Sequence, residues 1–191
     1  MKMSRKILIT AGACLLLGAV ALLTLWQWRI GAAEQKAAAY VQTLRTLLPE
    51  SQGALAEPRR DNTMSVLPVD GTDFVGILEL PSCGSTLPVG NTWGESDRYP
   101  CRFAGSIYDG SLQIGATSQK GQCDFGSELF VGDTVCFTDM EGNRYTYRVS
   151  DLRYEKHADQ QTLTRGNAPL VLFIKNIYAF DYLIVYCEVL N

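Results

Sequence analysis

Apolar and polar residues change their rhythm twice along this chain. Ile7 to Trp26 is a run of twenty residues without a charge, about the length an α-helix needs to cross the hydrocarbon core of a bilayer. Ala37, Tyr40, Val41, Leu44, Leu47 and Leu48 then recur at helical spacing. Pro49 ends that pattern, because proline disfavours helical backbone in the residue before it. Residues 50–65, with Gly53, Pro58, Arg59, Arg60 and Asn62, have no apolar period and read as a flexible linker. From residue 66 onward the runs are short and alternating. Strands are predicted at Phe74–Leu80, Leu87–Val89, Cys101–Tyr108, Leu112–Ala116, Thr134–Asp139, Arg144–Asp151, Leu170–Ile174 and Leu183–Val189. Met140-Glu141-Gly142-Asn143 joins two of them as a hairpin, with Gly and Asn available for positive φ. Eight short strands without a long helix among them predict an all-β domain, a closed or nearly closed antiparallel β-barrel with short helical or loop insertions. The polar stretch between His157 and Pro169 is long enough to carry a helical turn.

The first rhythm implies an address. Lys2, Arg5 and Lys6 precede the apolar run and Arg29 follows it alone, so the positive-inside bias puts residues 1–6 in the cytoplasm and the rest outside. The expected organisation is an anchor over 7–28, a helical stalk over 29–49, a linker over 50–65 and a barrel over 66–191. A cleaved signal peptide ending near Gly31–Ala33 is the rival, but its apolar region would be only about 7–15 residues long. Cys14 reads as a small buried residue of the membrane helix, and the stalk as a solvent-washed spacer rather than a helix packed on the domain.

Composition narrows the function. Residues 1–64 carry eight Lys/Arg against four Asp/Glu, and residues 65–191 nine against sixteen. An acidic domain is a poor match for phosphate backbones, so no nucleic-acid partner is expected. With one His in the chain and no Cys-x-x-Cys pair, neither a metal site nor another cofactor is expected.

The order of several short segments resembles the sortase family over roughly residues 70–191. These are Phe74-Val75-Gly76-Ile77-Leu78-Glu79-Leu80-Pro81, Leu87-Pro88-Val89, Pro100-Cys101-Arg102-Phe103 with Gly105-Ser106, Phe125-Gly126, and Gly132-Asp133-Thr134-Val135-Cys136-Phe137-Thr138-Asp139-Met140-Glu141-Gly142-Asn143. The last two are Leu170–Phe173 and Leu183–Val189. The resemblance implies a membrane-anchored cysteine transpeptidase fold of Gram-positive bacteria. In that family a cysteine after the penultimate strand attacks a sorting-signal threonyl bond. A histidine after the fourth strand carries the proton, and an arginine opening the last strand stabilises the oxyanion. Such chemistry needs a thiolate, a proton carrier and a fixed cation.

By the same resemblance the three positions fall on Ala116, Lys175 and Tyr182, so no catalytic residue of the family type is expected. Lys175 could in principle attack, but an exposed strand end lacks the burial that a nucleophilic amine needs. Cys123, in the loop after the histidine position and beside Asp124, is the candidate substitute nucleophile, although a reactive thiol needs a neighbouring cation or base. His157 reads as a solvated loop residue. Five cysteines follow the apolar run, at 83, 101, 123, 136 and 187; Cys83 with Cys101, or Cys123 with Cys136, are possible pairs. Alternation from Tyr182 puts Tyr182, Ile184, Tyr186 and Glu188 on the groove face, and Leu183, Val185, Cys187 and Val189 toward the core. Lys175, Tyr182, Ile184 and Tyr186 thus form a candidate binding groove.

The function expected is a non-catalytic sortase-like module at the Gram-positive cell surface. Its partner would be a cell-surface peptide or protein, such as a sorting-signal protein or an active sortase. The alternative is an active transpeptidase or hydrolase with a relocated nucleophile, Cys123 or Lys175.

Overall fold

The computed structural model describes the backbone of residues 2–49, 62–94, 98–118, 128–176 and 179–190, and within the first helix the side chains of 11–25, 28 and 35–49. That helix, α1 (Lys2–Leu47), is followed by β1 (Leu67–Val69), β2 (Thr72–Leu80), β3 (Ser85–Gly90), β4 (Cys101–Ala104), β5 (Leu112–Thr117), β6 (Thr134–Asp139) and β7 (Arg144–Glu155). A short helix, α2 (Gln160–Leu163), precedes β8 (Leu170–Asn176) and β9 (Asp181–Val189).

The sheet runs β1-β2-β3-β4-β5-β8-β9-β7-β6 and closes through β2 on β6, so β2 to β9 form an eight-stranded barrel with β1 as an appended edge. Two corrections to the sequence reading follow. Closure is mixed rather than antiparallel: β5 pairs β8 in parallel from Leu112↔Leu170 to Thr117↔Lys175, and β3 meets β4 in parallel at one pair, Gly90↔Cys101. The run predicted over 101–108 stops at Ala104, because Gly105 turns the chain at φ 72°, and a Cβ there would strike the backbone of Ser111. β1, missed because three residues give no readable alternation, pairs with β2 through the turn at Asp70–Gly71.

Alternation fills the barrel. Leu112, Ile114 and Ala116 of β5, Leu170, Leu172 and Ile174 of β8, and Leu183, Val185 and Cys187 of β9 all join one interior cluster with Val75, Leu78, Phe137 and Val149. A buried carboxylate fixes the β6–β7 hairpin. Asp139, 1% exposed, accepts hydrogen bonds from the backbone N–H of Glu141 and Asn143, the Asn143 amide, and the hydroxyls of Tyr108 and Tyr145. A buried charge needs that degree of pairing.

The stalk is not a solvent-washed spacer. Ala37, Val41 and Leu44 are buried, and Val41 and Leu44 share a cluster with Val69, Phe74, Ile77, Tyr99 and Cys101 on the outside of the barrel. Tyr40 adds its ring at 5.0 Å from Phe74 and 6.2 Å from Tyr99. Glu79 then clamps the end of the helix, pairing with Arg45 at 2.7 Å and with Arg144 at 2.5 Å. A period-3.6 stripe has found an apolar sheet face, which is how such helices gain stability. Among the described residues no helix is long and apolar enough to cross a membrane; the span at 7–28 therefore remains an expectation of the sequence. Most of the linker at 50–65 lies outside the described residues.

Removing the centre of this contact should be felt by the whole domain. Leu44→Ala should lower unfolding stability by about 2–5 kcal/mol, the usual cost of truncating a buried leucine. Glu79→Gln should cost less, because both arginines are half-exposed. Denaturant unfolding of the full chain in detergent, followed by circular dichroism, measures both.

Candidate functional site

β5, β8 and β9 lie side by side, and each turns alternate residues outward. In register, Gly115 stands beside Phe173 and Phe173 beside Ile184; one step along, Thr117 stands beside Lys175 and Lys175 beside Tyr182. Lys175 and Tyr182, expected from the sequence at the cysteine and arginine positions, are therefore brought together as strand neighbours. Ala116 is not. Its methyl group is buried among Ile114 and Ile174 inside the barrel, and the β5 residue that shares a face with Lys175 is Thr117. Sequence reasoning could have found this from parity: the outward series on β5 is Gln113, Gly115, Thr117. The missing imidazole is unaffected, since the one histidine of the chain, His157, is an exposed loop residue.

Lys175 is exposed and Tyr182 half-buried, as a groove mouth requires. Ile184 and Tyr186 do not line an open groove. They are 0% and 5% exposed, covered by a second cluster that includes Leu163 of α2, Val171 and Phe173. The connection predicted to carry a helical turn does so, and folds back over β9. The Tyr186 hydroxyl donates to the Thr162 carbonyl at 2.8 Å, and Asp159 caps the turn by accepting from the N–H and hydroxyl of Thr162. Those bonds hold the Asp159 carboxyl below its ordinary range. Tyr186 is thus a packing residue whose burial raises its phenol pKa.

What remains open lies toward β4. Trp93, Phe103, Phe173 and Tyr182 form an aromatic row, with centroids 5.1 Å apart for Trp93–Phe173, 5.3 Å for Phe103–Phe173 and 6.4 Å for Phe173–Tyr182. Gly115 makes the row possible, because a Cβ there would collide with both Trp93 and Phe173. Beside it, where β3 and β4 diverge after their single pair, lies an open pocket of about 440 Å³ lined by Asn91, Thr92, Trp93, Arg102, Phe103, Ala104 and Gly105. Arg102 spans the gap, donating to the carbonyl and side chain of Asn91 and to the Gly105 carbonyl. Trp93 was missed because it sits in a loop, and Phe103 because the bulge between Arg102 and Ala104 shifts the register of its predicted strand.

Among the described residues the thiols sit away from this face or deep beneath it. Cys187 is in the interior, as parity predicts, and desolvation pushes its pKa up to about 12. Burial likewise raises the half-exposed Cys83 thiol. Cys83 and Cys136 carry free thiols, so the pairing of Cys83 with Cys101 is not formed. Cys123 lies outside the described residues.

An eight-stranded barrel closed by a parallel β5–β8 pair, with its candidate site at the ends of β5, β8 and β9, can be set beside solved structures. It matches the sortase D5 transpeptidase of Clostridium perfringens at TM-score 0.55 and 13% identity, over 84% of this chain and 99% of that one. It matches sortase C1 of Streptococcus agalactiae at TM-score 0.54 and 17% identity, over 85% and 88% of the two chains. Sortase C-3 of Streptococcus pneumoniae gives TM-score 0.54 and 18% identity, over 85% and 84%. The fold is that of the sortases. Neither a family model nor a curated protein matches the sequence. The likeness is one of fold, and the outward residues that meet at the ends of β5, β8 and β9 are Thr117, Lys175 and Tyr182.

Two measurements check this geometry. Tyr186→Phe should lower stability by about 1 kcal/mol, the net worth of one hydrogen bond, and should speed proteolysis between residues 157 and 169. Cys187 should resist alkylation at pH 8 until the protein is unfolded, because its thiol stays neutral. Above the ordinary thiol value of 9.0, the unfolded chain binds fewer protons at this site than the native one. This contribution to stability is therefore present below about pH 9 and fades as the pH rises toward 12. The buried phenols of Tyr145 and Tyr147, also raised, push the same way. Urea unfolding at pH 8 and pH 10.5 gives the sign.

Proposed function

We propose that this chain is a membrane-anchored, extracytoplasmic sortase-like protein that binds a cell-surface peptide or protein without transferring it. The observation that carries the reading is the composition of the strand ends. Thr117, Lys175 and Tyr182 meet there in register, and they offer neither a thiolate, nor an imidazole, nor a guanidinium. Lys175 is exposed, without the apolar enclosure in which a lysine serves as nucleophile. Acyl transfer needs its groups to act as a unit.

Binding is what the same face retains. The row Trp93–Phe103–Phe173–Tyr182 lies beside a pocket, with Phe103 exposed, Trp93 and Tyr182 half-buried and Phe173 buried, and aromatic anchors dominate contact energies. The site differs from the one expected from sequence: Tyr182 and Lys175 stay in it, Ile184 and Tyr186 leave it, and Trp93 and Phe103 enter. The partner is a sorting-signal-type peptide or the protein that bears one. Anchoring rests on the uncharged run Ile7–Trp26 and on side chains such as Leu15, Leu16, Leu17 and Leu22, each 70% or more exposed and without protein to cover them. A lipid environment would cover them.

Two experiments test the proposal. The full chain should fractionate with membranes, and recovery from the culture medium cut near Ala33 would overturn the anchor. In a transfer assay with a Leu-Pro-Ala-Thr-Gly peptide and an amine acceptor, the natural chain should show no turnover. Lys175→Cys should gain little, since no proton carrier or oxyanion cation accompanies it. Turnover by the natural chain, lost on Cys123→Ala or Lys175→Ala, would establish the relocated-nucleophile enzyme instead.

A further inference from the structure

α1 crosses the barrel instead of running along a strand. Its Tyr40 meets Tyr99, two residues before β4 begins, with ring centroids 6.2 Å apart. Past its other end, the carbonyl of Pro49 lies on Gly142 in the β6–β7 hairpin, so closely that a Cβ there would collide. Between the two, Arg45 pairs with Glu79 of β2. Around the closed sheet, β4 stands two strands from β2 in one direction and β7 two strands from it in the other. Followed back toward its N-terminus, α1 therefore leaves the barrel on the β4 side, and β7 faces the opposite way.

No break separates that contact from the apolar run. α1 is continuous from Lys2 to Leu47. From the exposed Trp28 to the buried Val41, in the middle of the docked stripe, it rises about 20 Å at 1.5 Å per residue. Tryptophan at the end of an apolar run marks the headgroup level. Eight strands about 4.8 Å apart, tilted as closure requires, give a backbone radius of about 8 Å, to which outward side chains add. Little height remains between β4 and the headgroups. The charges follow the same axis. β3 and β4 carry one charged residue between them, Arg102, whereas β7 carries Arg144, Arg148, Asp151, Arg153 and Glu155.

We propose that the β3–β4 side of the barrel rests on the outer headgroup layer of the membrane, held there by α1 as a rigid strut. The inference rests on the anchor proposed above and adds the surface that meets the lipid. A side so poor in charge approaches headgroups without stripping water from ions. Its exposed aromatic, Phe103, suits the interface, and Arg102 has the sign that lipid phosphates attract. The charged β7 points to the medium. Docking of α1 on β2 thus does two things at once: it covers Phe74 and Ile77, and it sets which way the barrel faces.

The test reconstitutes the full chain in phosphatidylcholine–phosphatidylglycerol vesicles that contain a lipid with a nitroxide on its headgroup. Trp26→Phe, Trp28→Phe and Trp93→Phe remove all three tryptophans. A single reporter is then returned, either by Phe103→Trp on β4 or by Tyr154→Trp on β7; both positions are exposed. Circular dichroism should match the natural chain for each. The nitroxide should quench the reporter at 103 several-fold more strongly than the one at 154. Ala33→Pro, which interrupts the strut, should bring the two close together. Equal quenching at both positions, or stronger quenching at 154, in chains that float with the vesicles overturns the orientation and leaves the anchor standing. A difference that survives Ala33→Pro overturns the strut as its cause. Chains that do not float with the vesicles after detergent removal overturn the anchor and the orientation together.

Discussion

The parallel pairing of β5 with β8 is the constraint on which the rest of the molecule depends. It closes the barrel between two strands far apart in sequence, and its register decides everything on either side of the sheet. Inward, it stacks Leu112, Ile114 and Ala116 against Leu170, Leu172 and Ile174. Outward, the same six pairs align Gly115 with Phe173 and Thr117 with Lys175. A slip of one residue would exchange the two faces. Gly115 shows how tight the outward face is, since the ring of Phe173 and the indole of Trp93 take the volume a side chain would need. Core and site are therefore two readings of one ladder, and the site's chemistry can change while the ladder stays.

The covering elements follow from what that barrel leaves apolar. α1 spreads over the outside of β2, where Phe74 and Ile77 would otherwise be wet, and the Arg45–Glu79–Arg144 bridge fixes where its last turn sits. α2 does the same for β9, with Leu163 at 0% exposure and Tyr186 tying it down. Among the described residues the strip between β4 and Tyr182 carries no such helix, and the indole of Trp93 lies on it. A helix of 46 residues, about 70 Å long at 1.5 Å per residue, then joins the barrel directly to the apolar N-terminal run.

Much of this was legible in the residues. The eight barrel strands, the hairpin at Met140–Asn143, and the inward and outward series on β9 all follow from period-2 alternation. The parallel pair was not legible, because alternation says which face a residue takes but not which strand lies beside it. The coverage of Ile184 and Tyr186 escaped for a related reason: strand parity separates outside from inside, but an outside face may still be buried by a segment as polar as 157–169. Trp93, in a loop, carried no periodic signal, and the bulge at Phe103 broke the one its strand offered. The stripe Ala37–Tyr40–Val41–Leu44 was read correctly as a helix face and incorrectly as solvated, since periodicity identifies an apolar face without naming what covers it.

The central claim is that a sortase fold has kept its ladder and lost its reactive groups, so that the former reaction site binds without bond exchange. Intact-mass spectrometry of the full chain, after incubation with a sorting-signal peptide ending in a thiol-reactive group, tests this most directly. The account predicts no adduct that excess unmodified peptide can suppress. A stoichiometric adduct that is suppressed by that peptide, and maps to Cys123, would contradict it.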